Sequence, residues 1–561
     1  MNYKEYIAKK ITACGLPEEG IEENIAVPPN TEMGDYALPC FKFAKVLRKS
    51  PVVIAQELAA KIEADSVISE ITALNGYLNF KINKASLAKE TVEKVLLQGE
   101  SYGSSSLGGG KTICIDYSSV NIAKPFHIGH LSTTVIGGAL YKIYNFLGYN
   151  VVGINHLGDY GTQFGKLICA YKKWGDRDEV EKGGIHAIND LYVRFNNEAT
   201  PEMEEEAREY FRLIESGDRE ANQIFEWFKS LTLEYVNKIY ARLGVKFDSY
   251  NGERFYSDKM QPVIDELQEK GLLKESEGAK IVDLEAYGMP PCLILRSDGA
   301  SLYATRDLAA AVYRKNTYDF DKCLYVVAYQ QNLHFKQIFK VLELMGKEWA
   351  KDMIHVAYGM VSLEDGAMST RKGKVVWLED VIQKCVDKAY KVIEDKNPAL
   401  ENKQEIAEKV GVGSVIFGAL YNNKIKDIVF SYDKVLSFEG ETGVYCQYTC
   451  ARAYSVLQKA GVTNFILPEK VNLLPQEYEV VRTIASFPET VQEAGEKYEP
   501  SVIARFAVDL AQKFNKFYFD CKILTAEDED TKSFRLALCT ATLQTLKNAL
   551  ALLGIGVPDK M

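Results

Sequence analysis

Between residues 111 and 155 the hydrophobic period of the chain changes twice, and this limits the fold more than any other feature of the sequence. KTICIDYSS (111–119) has the β-branched and aromatic content of a buried strand. HIGHLSTTVIGGALYKIYNFLGY (127–149) has helical spacing with Gly148 as its stop, and NVVGIN (150–155) reads as the next strand. A strand, a helix and a strand in so short a stretch form a βαβ unit, which requires a parallel sheet covered by helices. A charged helical stretch follows from 172 to about 250, and β-like segments return at KIVDLEAYG (280–288), CLILRSDG (292–299) and KCLYVVAYQ (322–330). The predicted class is therefore α/β, a parallel-sheet domain interrupted by an insertion at roughly 172–290.

With 561 residues the chain exceeds what one hydrophobic core can serve. The first hundred residues mix helical periodicity with a β-rich end, ITALNGYLNFKI (71–82), and run into the Gly/Ser-rich SYGSSSLGGG (101–110). Beyond about 400 the pattern is almost entirely helical. These shifts predict an N-terminal α+β domain over 1–108, the parallel-sheet domain over 109–400, and an all-helical domain over 401–561.

No uncharged apolar run reaches the roughly 18 residues of a membrane-spanning helix, and MNYKEYIAKK lacks the apolar core of a secretory signal. Eleven cysteines scattered from Cys14 to Cys539 include no CxxC pair, which argues against a zinc site and against a disulfide framework. Free thiols and a cytoplasmic setting are the expectation. A net charge of −10 argues against a nucleic-acid partner unless the basic residues gather on one face. The acidic stretch at 203–220 reads as a solvated helix face.

The candidate chemistry lies directly after the first strand of the unit, in KPFHIGHLS (124–132). His127 and His130 stand at i and i+3, so one helical turn can turn both imidazoles to one ligand. A helix N-terminus adds free N–H groups suited to phosphate, and Gly129 lets a flat base approach the backbone. Taken bare, HxxH is better explained as two hydrogen-bonding histidines near a strand end. Its position beyond the C-terminal end of a parallel strand is where such sheets bind ligands.

SSVNIAKPFHIGHLSTTVIGGAL (118–140) resembles the first signature of class I aminoacyl-tRNA synthetases, and of the arginyl family in particular. GMVSLEDGAMSTRKGKVVWLED (359–380) is similar to the family's second signature in place and order. Here Ala367 to Arg371 stand where KMSKS is usual, so both signature lysines are missing. NHLGDYGTQFGKL (155–167, with Tyr160 for the usual Trp), NGERFY (251–256), SDGASLYATRDLAAA (297–311) and YVVAYQQNLHFKQIF (325–339) extend the resemblance in the right order.

The resemblance implies a Rossmann-type catalytic domain that forms arginyl-adenylate from arginine and ATP with Mg²⁺, then charges tRNA(Arg). It implies nucleotide binding by His127, Gly129, His130, Met368 and Ser369. The loss of the signature lysines leads to the expectation that Lys124 supplies part of the missing charge, with Arg371 and Lys372 helping. A guanidinium is planar, permanently charged and rich in donors, so its pocket needs acceptors matched to a fork. Asp307 and Glu253 are the charged candidates, Tyr303 and Gln331 the neutral ones, and the resemblance places Ser119 and Asn121 at the α-amino and carboxylate end. An Asp after Arg is also a common helix cap or structural ion-pair partner.

FSYDKVLSFEGETGVYCQYTCARAYSVL (430–457) resembles the family's anticodon-binding helices, making Tyr445, Gln447, Tyr448 and Arg452 candidates for RNA contact. Core packing explains the tyrosines as readily. NTEMGDYALPCFKFAK (30–45) resembles the family's N-terminal tRNA-binding domain, and a monomer is the family expectation. Cysteinyl relatives need zinc-ligand cysteines, which are missing here, and glutamyl relatives need cationic pocket residues where this chain offers Asp307. A small nucleotidylyltransferase shares HxGH but needs neither flank, and a non-catalytic tRNA-binding paralogue stays open because KMSKS is eroded. An acceptor left unpaired costs about 1–3 kcal/mol, so Asp307→Asn is expected to raise the arginine KM roughly tenfold or more in pyrophosphate exchange and the ATP KM little. Equal rises in both would mean a damaged fold.

Overall fold

The computed structural model describes residues 3–16, 20–28, 33–296, 303–363, 376–461, 466–468 and 471–561. The chain divides into two compact units. One comprises 1–99, 456–486 and 512–544, and the other 100–455, 487–511 and 545–561.

The larger unit is built on four parallel strands: β1 (Thr112–Asp116), β2 (Asn150–Ile154), β3 (Lys322–Tyr325) and β4 (Met353–His355), in the order β4-β3-β1-β2. The predicted βαβ unit is β1, helix α1 (Leu131–Phe146) and β2. Gly148 ends it at φ 82°, a conformation that favours glycine. From β1 the chain moves to one side to form β2 and later to the other side to form β3. That reversal opens a crevice beyond the C-terminal end of β1, and residues 117–130 begin there. Gly137 lets α1 press onto this segment, since a Cβ there would lie 2.2 Å from the Tyr117 ring.

After β2, among the described residues, come the helices Gln163–Trp174, Arg177–Glu198, Pro201–Ser216, Arg219–Arg242 and Met260–Glu269. A three-stranded antiparallel sheet follows (Leu273–Ser276, Ala279–Val282, Cys292–Leu295) and then α2 (Tyr303–Tyr318). Of the three returning β-like segments, only the one at 322 joins the parallel sheet; the other two pair in the separate antiparallel one. Periodicity reports that a segment is extended, and pairing is decided by tertiary contacts. The helix α3 (Asn332–Leu344) connects β3 to β4. One hydrophobic cluster joins Cys114, Ile154 and Cys323 of the parallel sheet to Leu308 of α2, Ile338 of α3 and Val282 of the antiparallel sheet.

The smaller unit carries an antiparallel sheet of Tyr36–Pro39, Tyr77–Ile82 and Ile68–Leu74, with Tyr77–Ile82 central. Asp35 ties its parts together: Oδ2 accepts from Ile82 N and Oδ1 from the Tyr478 hydroxyl, each at 2.8 Å. Among the described residues no helix is long and apolar enough to cross a membrane, and all eleven cysteines are free thiols.

At the end of β1, Arg314 of α2 is fully buried and donates from Nη2 to Asp116 Oδ2 at 2.7 Å. Removing one partner of such a pair strands a buried charge. We expect Asp116→Asn to lower the unfolding free energy by about 3–5 kcal/mol in equilibrium urea denaturation. A transition unchanged from wild type would show that the pair does not hold the sheet.

Candidate active site

The turn carrying the two histidines is closed by their own imidazoles. Gly129 N donates to His127 Nδ1 at 3.1 Å, and His127 N donates to His130 Nδ1 at 3.2 Å. Each Nδ1 therefore acts as an acceptor, which puts the proton on Nε2 and leaves Nε2–H as the donor for a ligand. The rings lie 4.0 Å apart, and Phe126 stacks on His130 at 5.1 Å. Burial pushes His127 down to about 4; burial, with the charge of His127 next, pushes His130 down to about 3. Both imidazoles are neutral donors at neutral pH.

The backbone leading into this turn is strained. Ser118, Ser119 and Ala123 have φ of 68°, 46° and 58°, which costs on the order of 1–3 kcal/mol each for residues with a Cβ. Hydrogen bonds hold it there. Ser118 N donates to Thr133 Oγ1 (3.0 Å), which donates to Val326 O (2.7 Å). Ser118 Oγ lies 2.8 Å from the Tyr240 hydroxyl, and Ala123 N donates to Thr232 Oγ1 at 3.1 Å. Lys229 binds Asp159 at 2.8 Å. Lys229, Thr232 and Tyr240 belong to one insertion helix, Arg219–Arg242, at spacings that share a face.

A second cluster lies beside the histidine turn. Asn121 pairs with Gly158 as an isolated bridge, and a Cβ on Gly158 would fall 2.3 Å from Asn121 Oδ1. Asp159 is buried and accepts from Arg254 N at 2.9 Å, bringing NGE (251–253) against HLGD (156–159). Glu253 accepts from Arg306 Nη1 at 3.1 Å, and that guanidinium lies 4.1 Å over the Tyr160 ring. Asp307 accepts from His334 Nε2 at 2.6 Å. Arg314 also reaches His156 Nδ1 at 3.3 Å.

These charges are coupled. Burial pushes Glu253 up to about 7; Arg306 pulls it down, Asp307 and Asp159 push it up, and Lys124 pulls it down. Burial also acts to raise Asp307, but the His334 hydrogen bond and charge, with His156 and Arg314, outweigh it and hold this carboxyl below its ordinary range. The cluster thus contains one firmly ionised carboxylate and one that an added cation would ionise. Such a site suits a cationic, multi-donor ligand.

The loop that carries Lys124, His127, Gly129 and His130 is linked to Glu253 and Asp307 through the Asn121–Gly158 bridge, the Asp159–Arg254 N bond and the Arg306–Glu253 pair. Ser119 is adjacent, its Oγ donating to Asp116 Oδ1 at 2.7 Å. Asn121 is exposed. Tyr303 is 67% exposed, one helical turn before Asp307 and on its face of α2. Gln331 is exposed at the start of α3. Met368, Ser369, Arg371 and Lys372 lie outside the described residues.

In the helix Gly443–Ala460, Tyr448 is exposed with the Arg452 guanidinium 5.0 Å from its ring centre, and Tyr445 is half-buried. Gln447 departs from the expectation. It is fully buried and donates to Lys409 O (3.0 Å) and Gly556 O (2.7 Å), so in this structure its amide serves helix packing. Motif reading quoted His156, Asp159, Arg306 and His334 without giving them roles. It had no signal for Lys229, Thr232 or Tyr240, which sit in a charged helix without a motif.

A parallel sheet with its ligand crevice at β1, an HxGH turn of neutral donors and an adjoining carboxylate cluster define the catalytic domain of a class I aminoacyl-tRNA synthetase. Comparison with known families agrees: residues 91–432 match the class I (R) tRNA synthetase catalytic domain, 446–561 the DALR anticodon binding domain, and 1–82 the arginyl tRNA synthetase N-terminal domain. The chain is 56% identical over 552 residues to the arginine–tRNA ligase of Clostridioides difficile, covering 97% of each chain. It is 54% identical over 550 residues to that of Halothermothrix orenii, again covering 97% of each. The Thermus thermophilus arginyl-tRNA synthetase structure is similar with a TM-score of 0.84 at 26% identity, covering 100% of this chain and 99% of that one. The chain belongs to the arginyl-tRNA synthetase family.

The depressed histidines have a pH consequence. Between about pH 4 and 6.5 the unfolded chain binds more protons at His127 than the folded protein does, so stability rises with pH across that window and is lost as pH falls through it. Histidine-selective resonance titration is expected to find His127 and His130 unprotonated at pH 5.5, where an ordinary histidine is mostly charged. A midpoint near 6.5 for either would break the assignment of neutral donors.

Proposed function

We propose that this chain is an arginine–tRNA ligase. It activates L-arginine with ATP to arginyl-adenylate and pyrophosphate, then transfers arginine to the 2′-hydroxyl of the terminal adenosine of tRNA(Arg) for translation. The observation that supports the reading is the geometry at the end of β1: the loop that runs into the histidine turn is bridged at Asn121 to Gly158, and the neighbouring Asp159 accepts from Arg254 N beside Glu253. This supports reading the turn as the phosphate-binding element and the carboxylate cluster as the guanidinium pocket of one reaction.

The first step asks for alignment more than proton transfer. The arginine carboxylate is ionised at neutral pH, attacks the α-phosphorus, and pyrophosphate leaves. Catalysis then consists of in-line placement and neutralising the charge that develops on the phosphates. The Nε2–H groups of His127 and His130 donate without adding charge, and Gly129 leaves room for the base. Lys124 contributes positive charge, as do Arg371 and Lys372, with Met368 and Ser369 on the nucleotide; Mg²⁺ enters with ATP as part of the substrate.

Asp307 and Glu253 take the guanidinium, with neutral bonds from Tyr303 and Gln331. Ser119 and Asn121 hold the α-amino and carboxylate end. Lysine cannot satisfy two acceptors in one plane, and citrulline leaves Asp307 without an ion partner. Tyr448 with its cation-stacked Arg452, and Tyr445 nearby, offer a platform for unpaired anticodon bases. Residues 1–108 form the additional tRNA-binding domain, 109–400 the catalytic domain and 401–561 the anticodon-binding domain. The enzyme works as a cytoplasmic monomer, a setting consistent with eleven free thiols.

The test is ATP–pyrophosphate exchange with and without bulk tRNA, in parallel with arginine, lysine, citrulline, glutamine and cysteine. Exchange is expected with arginine alone, and only when tRNA is present. Exchange with another amino acid would sink the pocket built on Asp307. Binding of tRNA without any exchange would make the chain a tRNA-binding paralogue.

A further inference from the structure

His186 belongs to none of the motif blocks, yet it packs on Trp377, the residue bridged to His127 of the histidine turn. The helix Arg177–Glu198 breaks at Gly184, whose φ of 56° and ψ of −135° are not helical, and the next turn is re-aimed. Two residues later the His186 ring packs on the Trp377 indole, with centroids 4.1 Å apart. Tyr235 of Arg219–Arg242 meets the same indole edge-on at 5.7 Å and His186 at 5.8 Å. The half-buried indole of Trp377 is thus held by two insertion helices.

Trp377 is bound in turn to the nucleotide-type turn through the backbone. It forms an antiparallel bridge with His127. Ile128 N donates to Val376 O at 3.2 Å, and Leu378 N donates to Phe126 O at 3.0 Å. Residues 376–378 therefore lie alongside 126–128 as a short two-stranded ribbon, and the helix Leu378–Lys396 starts from it. A ribbon this short has little stability of its own. Its side-chain anchors are the fully buried Leu378 and the Trp377 indole, and the indole is packed by the pair of rings from the insertion.

We propose that His186 is a positioning residue for nucleotide binding: with Tyr235 it clamps Trp377, and the Trp377 ribbon sets the His127–His130 turn. Aromatic packing is the property in use, so the role belongs to the ring and not to a proton. His186 is exposed and its ring is wanted only at one face, so its removal leaves the core intact. The inference rests on the reading of this turn as the ATP site.

The test is direct titration of MgATP onto the full-length protein, with arginine titrated separately, for wild type, His186→Ala and His186→Phe. We expect His186→Ala to weaken ATP about tenfold and to leave arginine affinity within about twofold, because a loosened turn acts on one ligand only. His186→Phe, which restores an aromatic face, should return ATP affinity to within about threefold of wild type. Melting temperatures of the three should agree within roughly 2 °C, since surface changes outside the core cost little. ATP affinity unchanged in His186→Ala, equal weakening of ATP and arginine, or His186→Phe as weak as His186→Ala would each overturn the proposal. Failure of the functional reading is separate: it is seen as wild type that shows no arginine-dependent exchange, while the ATP titrations still decide the role of His186.

Discussion

A single buried guanidinium fixes the place where the chemistry is arranged. Arg314 comes from α2, far along the chain, and meets Asp116 at the last residue of the strand that sits inside the parallel sheet. Its Nη2 also lies against His156, and its guanidinium rests 5.2 Å from the Tyr325 ring centre. One cation thereby ties together the ends of β1 and β3 and the NHLGD segment after β2. Desolvating two charges offsets much of their attraction, so the gain from such a pair lies less in net stability than in allowing only one arrangement. Ser119 then takes the second oxygen of Asp116, and the strained loop begins from a fixed point.

That loop shows how the insertion earns its place in the fold. Three residues with positive φ within six positions would not persist unaided. They are held by α1 on one side and by the face of Arg219–Arg242 that carries Thr232 and Tyr240 on the other. This helix, legible in the sequence only as part of a charged helical insertion, forms one wall of the loop.

The parallel sheet, its covering helix and the histidine turn were legible because each rests on local rules: a period of two, a period near 3.6, and a glycine stop. Glu253 and Asp307 were named from sequence by resemblance joined to chemistry, and the structure shows them paired with Arg306 and His334. What the sequence could not carry was pairing at long range. Arg306 and Arg314 stand in one helix eight residues apart, and nothing in their neighbours says that one meets Glu253 and the other Asp116. The segments at 280 and 292 show the same limit, being extended as expected but paired in a different sheet. Gln447 shows it for a side chain: its motif suggests contact with RNA, and its burial assigns the amide to two backbone carbonyls.

The backbone bonds to the two imidazoles also determine what the pair will refuse. Paired histidines are common ligands for transition metals, which bind a nitrogen lone pair. Here both Nδ1 lone pairs are already taken by Gly129 N and His127 N, and Nε2 presents a hydrogen. To coordinate zinc or copper, each ring would have to surrender a bond that closes the turn and move its proton. The same two N–H donations that leave each Nε2–H free to donate to an acceptor make the pair a poor ligand for a metal.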